Sequence, residues 1–243
     1  MPGRSETQTQ PMTMSIPSAR WFPLVFVPLA SCIFVVGDGS WDGSLAFSNH
    51  HVRGSGVRAE ADREVGEFRA VELETCATVL VRVGEAPSVH LAGDDNLLPL
   101  VETKVEHGVL TLDVRDSCSF RSGLEVVIGT PSLERFTIAG SGDVMIQGLA
   151  ADQVKLAIEG SGTLSAQGTA RALVGSIEGS GELRLAELAA EEADLSIEGS
   201  GAMHVQVTNA LRYSIEGSGD IRYAGTPELR GEIDGSGNIE KSR

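Results

Sequence analysis

The sequence predicts an all-β protein. The expected fold is a parallel β-helix, or solenoid, of about 18–20 residue coils, preceded by a smaller β-strand region packed on its N-terminal end. Three observations predict this. Gly-Ser-Gly recurs through the second half, starting at Gly140, Gly160, Gly179, Gly199, Gly217 and Gly235. Apolar residues alternate at period two on both sides of each copy, the pattern of strands with one buried face. Glycine is abundant, at 29 residues, and aromatics are only 5%, a balance that suits short strands and tight turns better than a helical bundle.

In chain order, Arg20 precedes an apolar run from Trp21 to Val36 that contains Pro23 and Pro28. The run is shorter than the roughly 20 residues a membrane-spanning helix needs. A basic flank, an apolar stretch and small residues make a secretory signal. Leu29-Ala30-Ser31-Cys32 has the form of a lipobox, in which the cysteine thiol accepts diacylglycerol and becomes the new N-terminus. The other reading is an ordinary signal peptide with a chance cysteine. Met1 and Met14 are both candidate starts, because the first 13 residues are polar. The expected boundaries are a lipoprotein signal over 1–31, a flexible linker rich in Gly and Ser over 32–62, an N-terminal β region over 63–130 and the repeat solenoid over 131–240. Within the linker, His50-His51 reads as a weak metal hook or as an accident of composition.

From Phe68 the pattern becomes alternation. Val79, Val81 and Val83 end at Gly84; Val89 and Leu91 run to Gly93-Asp94-Asp95-Asn96. Val101–Val105 turns at His107-Gly108 into Val109–Val114, and Leu124–Ile128 ends at Gly129-Thr130-Pro131. No window of helical period competes with these strands.

Each repeat then reads as strand, Gly-Ser-Gly corner, strand and variable turn. An isoleucine stands two places before the first glycine: Ile138, Ile158, Ile177, Ile197, Ile215, Ile233. An apolar residue stands two places after the second: Val144, Leu164, Leu183, Met203, Ile221, Ile239. A meander of hairpins could be built from such repeats, but a solenoid explains more. Stacking coils about 4.8 Å apart puts isoleucine on isoleucine. It also puts glycine wherever backbones approach closely or φ is positive: Gly140, Gly142, Gly160, Gly162, Gly179, Gly181, Gly199, Gly201, Gly217, Gly219, Gly235 and Gly237.

These residues resemble a known family. Val65-Gly66-Glu67-Phe68, Gly93-Asp94-Asp95-Asn96-Leu97-Leu98, Pro131-Ser132-Leu133 and the serial Gly-Ser-Gly block together resemble the auto-transporter adhesin head GIN domain of exported bacterial proteins. The resemblance covers about 63–240 and implies a β-helical fold with no catalytic residues to carry over. No translocator barrel follows in the sequence, so self-secretion is not expected of this chain, in agreement with lipid anchoring.

Candidate sites are few. The residue before the first glycine is acidic in five copies, Glu159, Glu178, Glu198, Glu216 and Asp234, and is Ala139 in the other. Stacked coils would make these a column of like charges, either a Ca²⁺ edge or a solvated edge that resists aggregation. The corner serines have no histidine recurring beside them, which favours hydrogen-bonding roles over nucleophilic ones. Cys76 and Cys118 are a disulfide pair in an oxidising compartment, or else two buried thiols.

The net charge of −15 and the lack of any basic block exclude a nucleic-acid partner. No cofactor is expected beyond the candidate Ca²⁺. The first functional reading is a non-catalytic envelope lipoprotein, exported and membrane-anchored in the periplasm or at the cell surface. Its coil surface would contact glycan, cell wall or protein. A polysaccharide-processing enzyme is an alternative on fold analogy, requiring basic residues such as Arg184, Arg212 and Arg222 on one face. An envelope-stress signalling accessory is another. An uncovered terminal coil near Ile239 makes end-to-end self-association a further expectation.

Overall fold

A computed structural model of the chain describes residues 51–115 and 117–242. The signal segment, Cys32, both candidate starts and the first part of the expected linker lie outside the described residues. The strands are β1 (Val52–Arg53), β2 (Arg58–Arg63), β3 (Ala70–Leu73), β4 (Thr78–Val83) and β5 (Ser88–Asp94). A 3-10 turn (Leu98–Leu100) leads to β6 (Val101–Glu106), β7 (Val109–Val114), β8 (Cys118–Ser119), β9 (Glu125–Thr130) and β10 (Arg135–Gly140). Then come the long strands β11 (Asp143–Gly160), β12 (Thr163–Gly179), β13 (Glu182–Gly199) and β14 (Ala202–Gly217), followed by β15 (Asp220–Gly225), β16 (Glu228–Gly235) and β17 (Asn238–Lys241).

Register explains the architecture. The first halves of β11–β14 pair in parallel with one another, with β4 and β9 before them and β15 and β17 after. The second halves pair likewise, with β7, β3 and β10 before them and β16 after. Each coil therefore contributes one strand to each of two parallel stacks, as the repeats predict. The variable turns are absorbed as bulges: register shifts fall between Ile146 and Leu149, Ser165 and Gln167, and Leu185 and Ala189.

The core is the inward ladder of these stacks. Ile138, Ile158, Ile177, Ile197 and Ile215 are in register and almost wholly buried. Each isoleucine locks onto a glycine of the next coil. A Cβ at Gly181 would stand 2.6 Å from Ile158 Cγ2, and one at Gly201 2.6 Å from Ile177 Cγ2. The first glycine of each corner has positive φ, +123° at Gly179, where a Cβ would lie 2.5 Å from the Gly160 carbonyl oxygen. Only glycine meets both demands.

The N-terminal region continues the coils instead of forming a separate cap. β7 and β9 make one coil, and β3 and β4 the next, inserted between it and β10–β11. The sequence order of coils is thus broken once. Beyond them, antiparallel β6 edges one stack and antiparallel β5 and β2 edge the other. The β6–β7 hairpin turns on His107 (φ 51°) and Gly108 (φ 79°), two consecutive positive-φ residues that match strand twist.

The expected linker over 32–62 needs correction in its described part. β2 pairs with β5 along its whole length, and β1 pairs with β8. Asp94 holds this segment down. Its buried carboxylate accepts the amides of Gly56 (2.7 Å), Arg121 (2.7 Å) and Ser122 (3.2 Å) and the Ser122 hydroxyl (3.1 Å). Burial works to raise the Asp94 pKa, but these donors outweigh it and the carboxyl sits below its ordinary range. Asp95 accepts the Ser55 hydroxyl, and Asn96 accepts the Ser55 amide while donating to the Arg53 carbonyl. Gly-Ser-Gly at 54–56 is composition typical of a linker, clamped by an oxygen-rich turn.

Candidate functional site: the corner edge and outer ladders

The corners stack into one continuous edge. Each corner serine after Ser141 donates its amide to the first glycine of the preceding corner: Ser161 to Gly140 (3.0 Å), Ser180 to Gly160 (2.9 Å), Ser200 to Gly179 (2.9 Å), Ser218 to Gly199 (2.8 Å) and Ser236 to Gly217 (2.8 Å). The residue after the second glycine donates to the second glycine below, as Glu182 does to Gly162 (2.9 Å). The ladder is therefore built by serine amides, and the hydroxyls stay on the exposed rim. Among the described residues no hydrogen bond joins a corner serine to a histidine, so no nucleophile–base pair forms there.

The acidic column exists as the repeats place it. Glu159, Glu178, Glu198, Glu216 and Asp234 are in direct register and all exposed. Among the described residues no three His, Cys, Asp or Glu side chains gather to hold a metal ion. At the rim, carboxylate, glycine and serine thus repeat coil by coil, giving a regular array of acceptors and hydroxyls about 4.8 Å apart.

A second ladder, which the repeats encode but a reading for motifs passes over, lies three places after each second glycine. Met145, Ser165, Arg184, His204, Arg222 and Glu240 are in register on the outer side of the first stack. Its arginines are matched by nearby carboxylates: Arg184 meets Glu182, two places earlier on the same strand, at 2.6 Å, and Arg222 meets Glu240 of the ladder at 2.7 Å. The Arg184 hydrogen bond holds the Glu182 carboxyl below its usual range, with smaller help from His204 3.9 Å away. Arg212 is elsewhere, in register with Arg230 on the other stack. The three arginines that an enzyme reading would need together are therefore split between two faces.

Cys76 and Cys118 come together. Cys76 lies in the corner of the β3–β4 coil and Cys118 in the short strand β8, between β7 and β9 of the adjacent coil. Both border one surface cleft with Thr75, Phe120 and Ser141. Cys76 is an exposed thiol in the structure and Cys118 is half-buried. These two corners, where Gly-Ser-Gly is missing, are where the cysteines stand. His51 places its ring nitrogens 3.1 Å and 3.2 Å from the Ser117 and Ser119 hydroxyls.

Comparison with known proteins agrees with this geometry. The family model described as "Putative auto-transporter adhesin, head GIN domain" matches residues 67–227. A crystal structure of a "putative adhesin" from Bacteroides fragilis superposes with a TM-score of 0.65 at 22% identity, covering 79% of this chain and 100% of that one. A "putative adhesin" and a "putative lipid binding protein", both from Parabacteroides distasonis, superpose with TM-scores of 0.51 at 21% and 20% identity, each over 79% of this chain and 100% of theirs. At such identities the likeness is one of fold. A search of curated proteins finds no match. The family match spans well over half of the chain, and the chain belongs to the auto-transporter adhesin head GIN domain family.

Proposed function

We propose that this protein is a non-catalytic adhesive module of the bacterial envelope, exported and tethered by a lipid on Cys32. Its corner rim and outer ladders would be offered to a glycan, wall or protein partner. The observation that carries this reading is the rim itself: successive coils present the same exposed carboxylate–glycine–serine unit in register. Such an array matches a ligand that also repeats, and many weak contacts along it would add through effective concentration. The family assignment supports the same reading.

Two experiments test it. Metabolic labelling with a palmitate analogue should mark the wild type and not Cys32→Ala, and the label should track with membranes. A glycan array and an envelope pull-down should give binding that weakens when Glu178, Glu198 and Glu216 are changed together to Gln. Label on Cys32→Ala would refute the tether, and binding indifferent to the triple change would refute the rim as the contact.

A further inference from the structure

The two ends of the coil stack differ. At the N-terminal end the edges are antiparallel strands dressed with alternating charge, Glu102, Lys104 and Glu106 on β6 and Glu60 and Asp62 on β2. Leu97 and Leu98 are buried there beside the 3-10 turn. At the C-terminal end, among the described residues, β16 pairs only with β14, and every one of its residues is exposed. Leu229 and Ile233 continue the core ladders of Leu211 and Ile215, yet are 39% and 38% exposed where their neighbours are fully buried. An edge strand with free backbone groups and core residues on its inner side is a template for another strand.

We propose that the occupant is a second copy of this chain, joined tail to tail by antiparallel pairing of β16 with β16 about a two-fold axis at Gly231. The sequence of the strand selects this register. With Gly231 on the axis, Leu229 faces the partner's Ile233 on the inner side and Arg230 faces the partner's Glu232 on the outer side, each pair occurring twice. A shift of one residue puts inner positions against outer ones. A shift of two in either direction sets Arg230 against Arg230 or Glu232 against Glu232, which is unfavourable for residues directly opposite. Glycine at the axis brings no side chain into the crossing. The opposing feature is Glu228 facing Asp234 at the strand ends, and Glu228 is already engaged by Arg230 at 2.7 Å. A two-fold contact uses the same patch on both chains and closes on itself, so a dimer forms and not a fibre.

The test is the mass of the full chain in mild detergent by light scattering and sedimentation, with charge swaps on β16. Wild type should weigh twice the chain mass at high concentration and dissociate on dilution. Arg230→Glu and Glu232→Arg should each weaken the dimer by about tenfold, because two opposite-charge pairs become like-charge pairs. Mixing the two variants should restore association as a heterodimer, and so should combining both changes in one chain. Far-UV dichroism and urea midpoints close to wild type keep the reading separate from misfolding. A wild-type monomer at every concentration, a dimer indifferent to both swaps, or no rescue on mixing would each overturn the proposal. None of these outcomes bears on whether the rim binds a ligand.

Discussion

Changing Gly179 to alanine probes the corner directly. Gly179 has φ of +123°, a conformation L side chains rarely adopt, and the added methyl would stand 2.5 Å from the Gly160 carbonyl oxygen. That oxygen accepts the Ser180 amide, so moving it also loosens a rung of the corner ladder. Backbone strain of this kind costs on the order of 1–3 kcal/mol. Displacing the packed coil adds the typical 1–3 kcal/mol of overpacking. A loss of roughly 4 kcal/mol is the central expectation, equivalent to about 8–16 °C in melting temperature for a chain of this size. Coils contact mainly their neighbours, so the C-terminal coils should uncouple from the rest, giving a broader urea transition with a smaller m-value. Ser180→Ala is the control: its hydroxyl is on the rim while its amide makes the rung, so its midpoint should stay within about 0.5 kcal/mol of wild type. Urea denaturation followed by dichroism reads both. Gly179→Ala at the wild-type midpoint would sink the claim that coil spacing demands glycine there.

Further outcomes follow from other parts of the fold. Ile177→Ala empties a position that is 1% exposed and packs on Gly201, and should cost about 2–5 kcal/mol in the same assay. Asp94→Asn should lower stability at neutral pH and speed amide exchange at residues 54–57. Because the Asp94 carboxyl titrates below its unfolded value, its contribution is present above the ordinary carboxylate range. It is lost as pH falls through the depressed pKa, so the gap between wild type and variant should close on acidification. A gap that is constant with pH would refute the carboxylate's role. Exported protein should carry a Cys76–Cys118 disulfide, its two thiol hydrogens passed to an oxidising disulfide of the compartment. Non-reducing mass spectrometry would show the linked peptides, and full alkylation of both thiols would refute the bond. Such a link closes a long loop and would add about 4 kcal/mol by the chain-entropy argument.

The repeat half was legible because its physics is local. Ile, Gly and the period-two alternation recur at the spacing of one coil, so the register of β11–β14 could be written down before any coordinates. Two features were not legible. Nothing in 68–130 repeats, and the β3–β4 coil slots between β7–β9 and β10–β11, a non-sequential stacking that depends on long-range pairing. Residues 54–56 carry the composition of a linker, and it is the distant Asp94-Asp95-Asn96 turn and Ser119, which accepts the Gly54 amide, that make them structure. Turn residues such as Asp94-Asp95-Asn96 look alike whether they merely reverse the chain or also grip a distant segment. At the candidate site, the acidic column and the corner glycines stand where the repeats put them. The Arg184–His204–Arg222 ladder was equally available in the alignment of repeats, but its mixed residue types hid it.

The register bulges have a last consequence. Because differences in coil length are taken up between Ile146 and Leu149 or Leu185 and Ala189, and never at the Gly-Ser-Gly corner, the number of coils is free to vary while the rim stays unchanged. A duplication of one coil would act like another notch on a ruler. It would advance the end of the molecule by about 4.8 Å and add one more identical contact. Reach and grip would then change in equal steps, without any existing contact being redesigned.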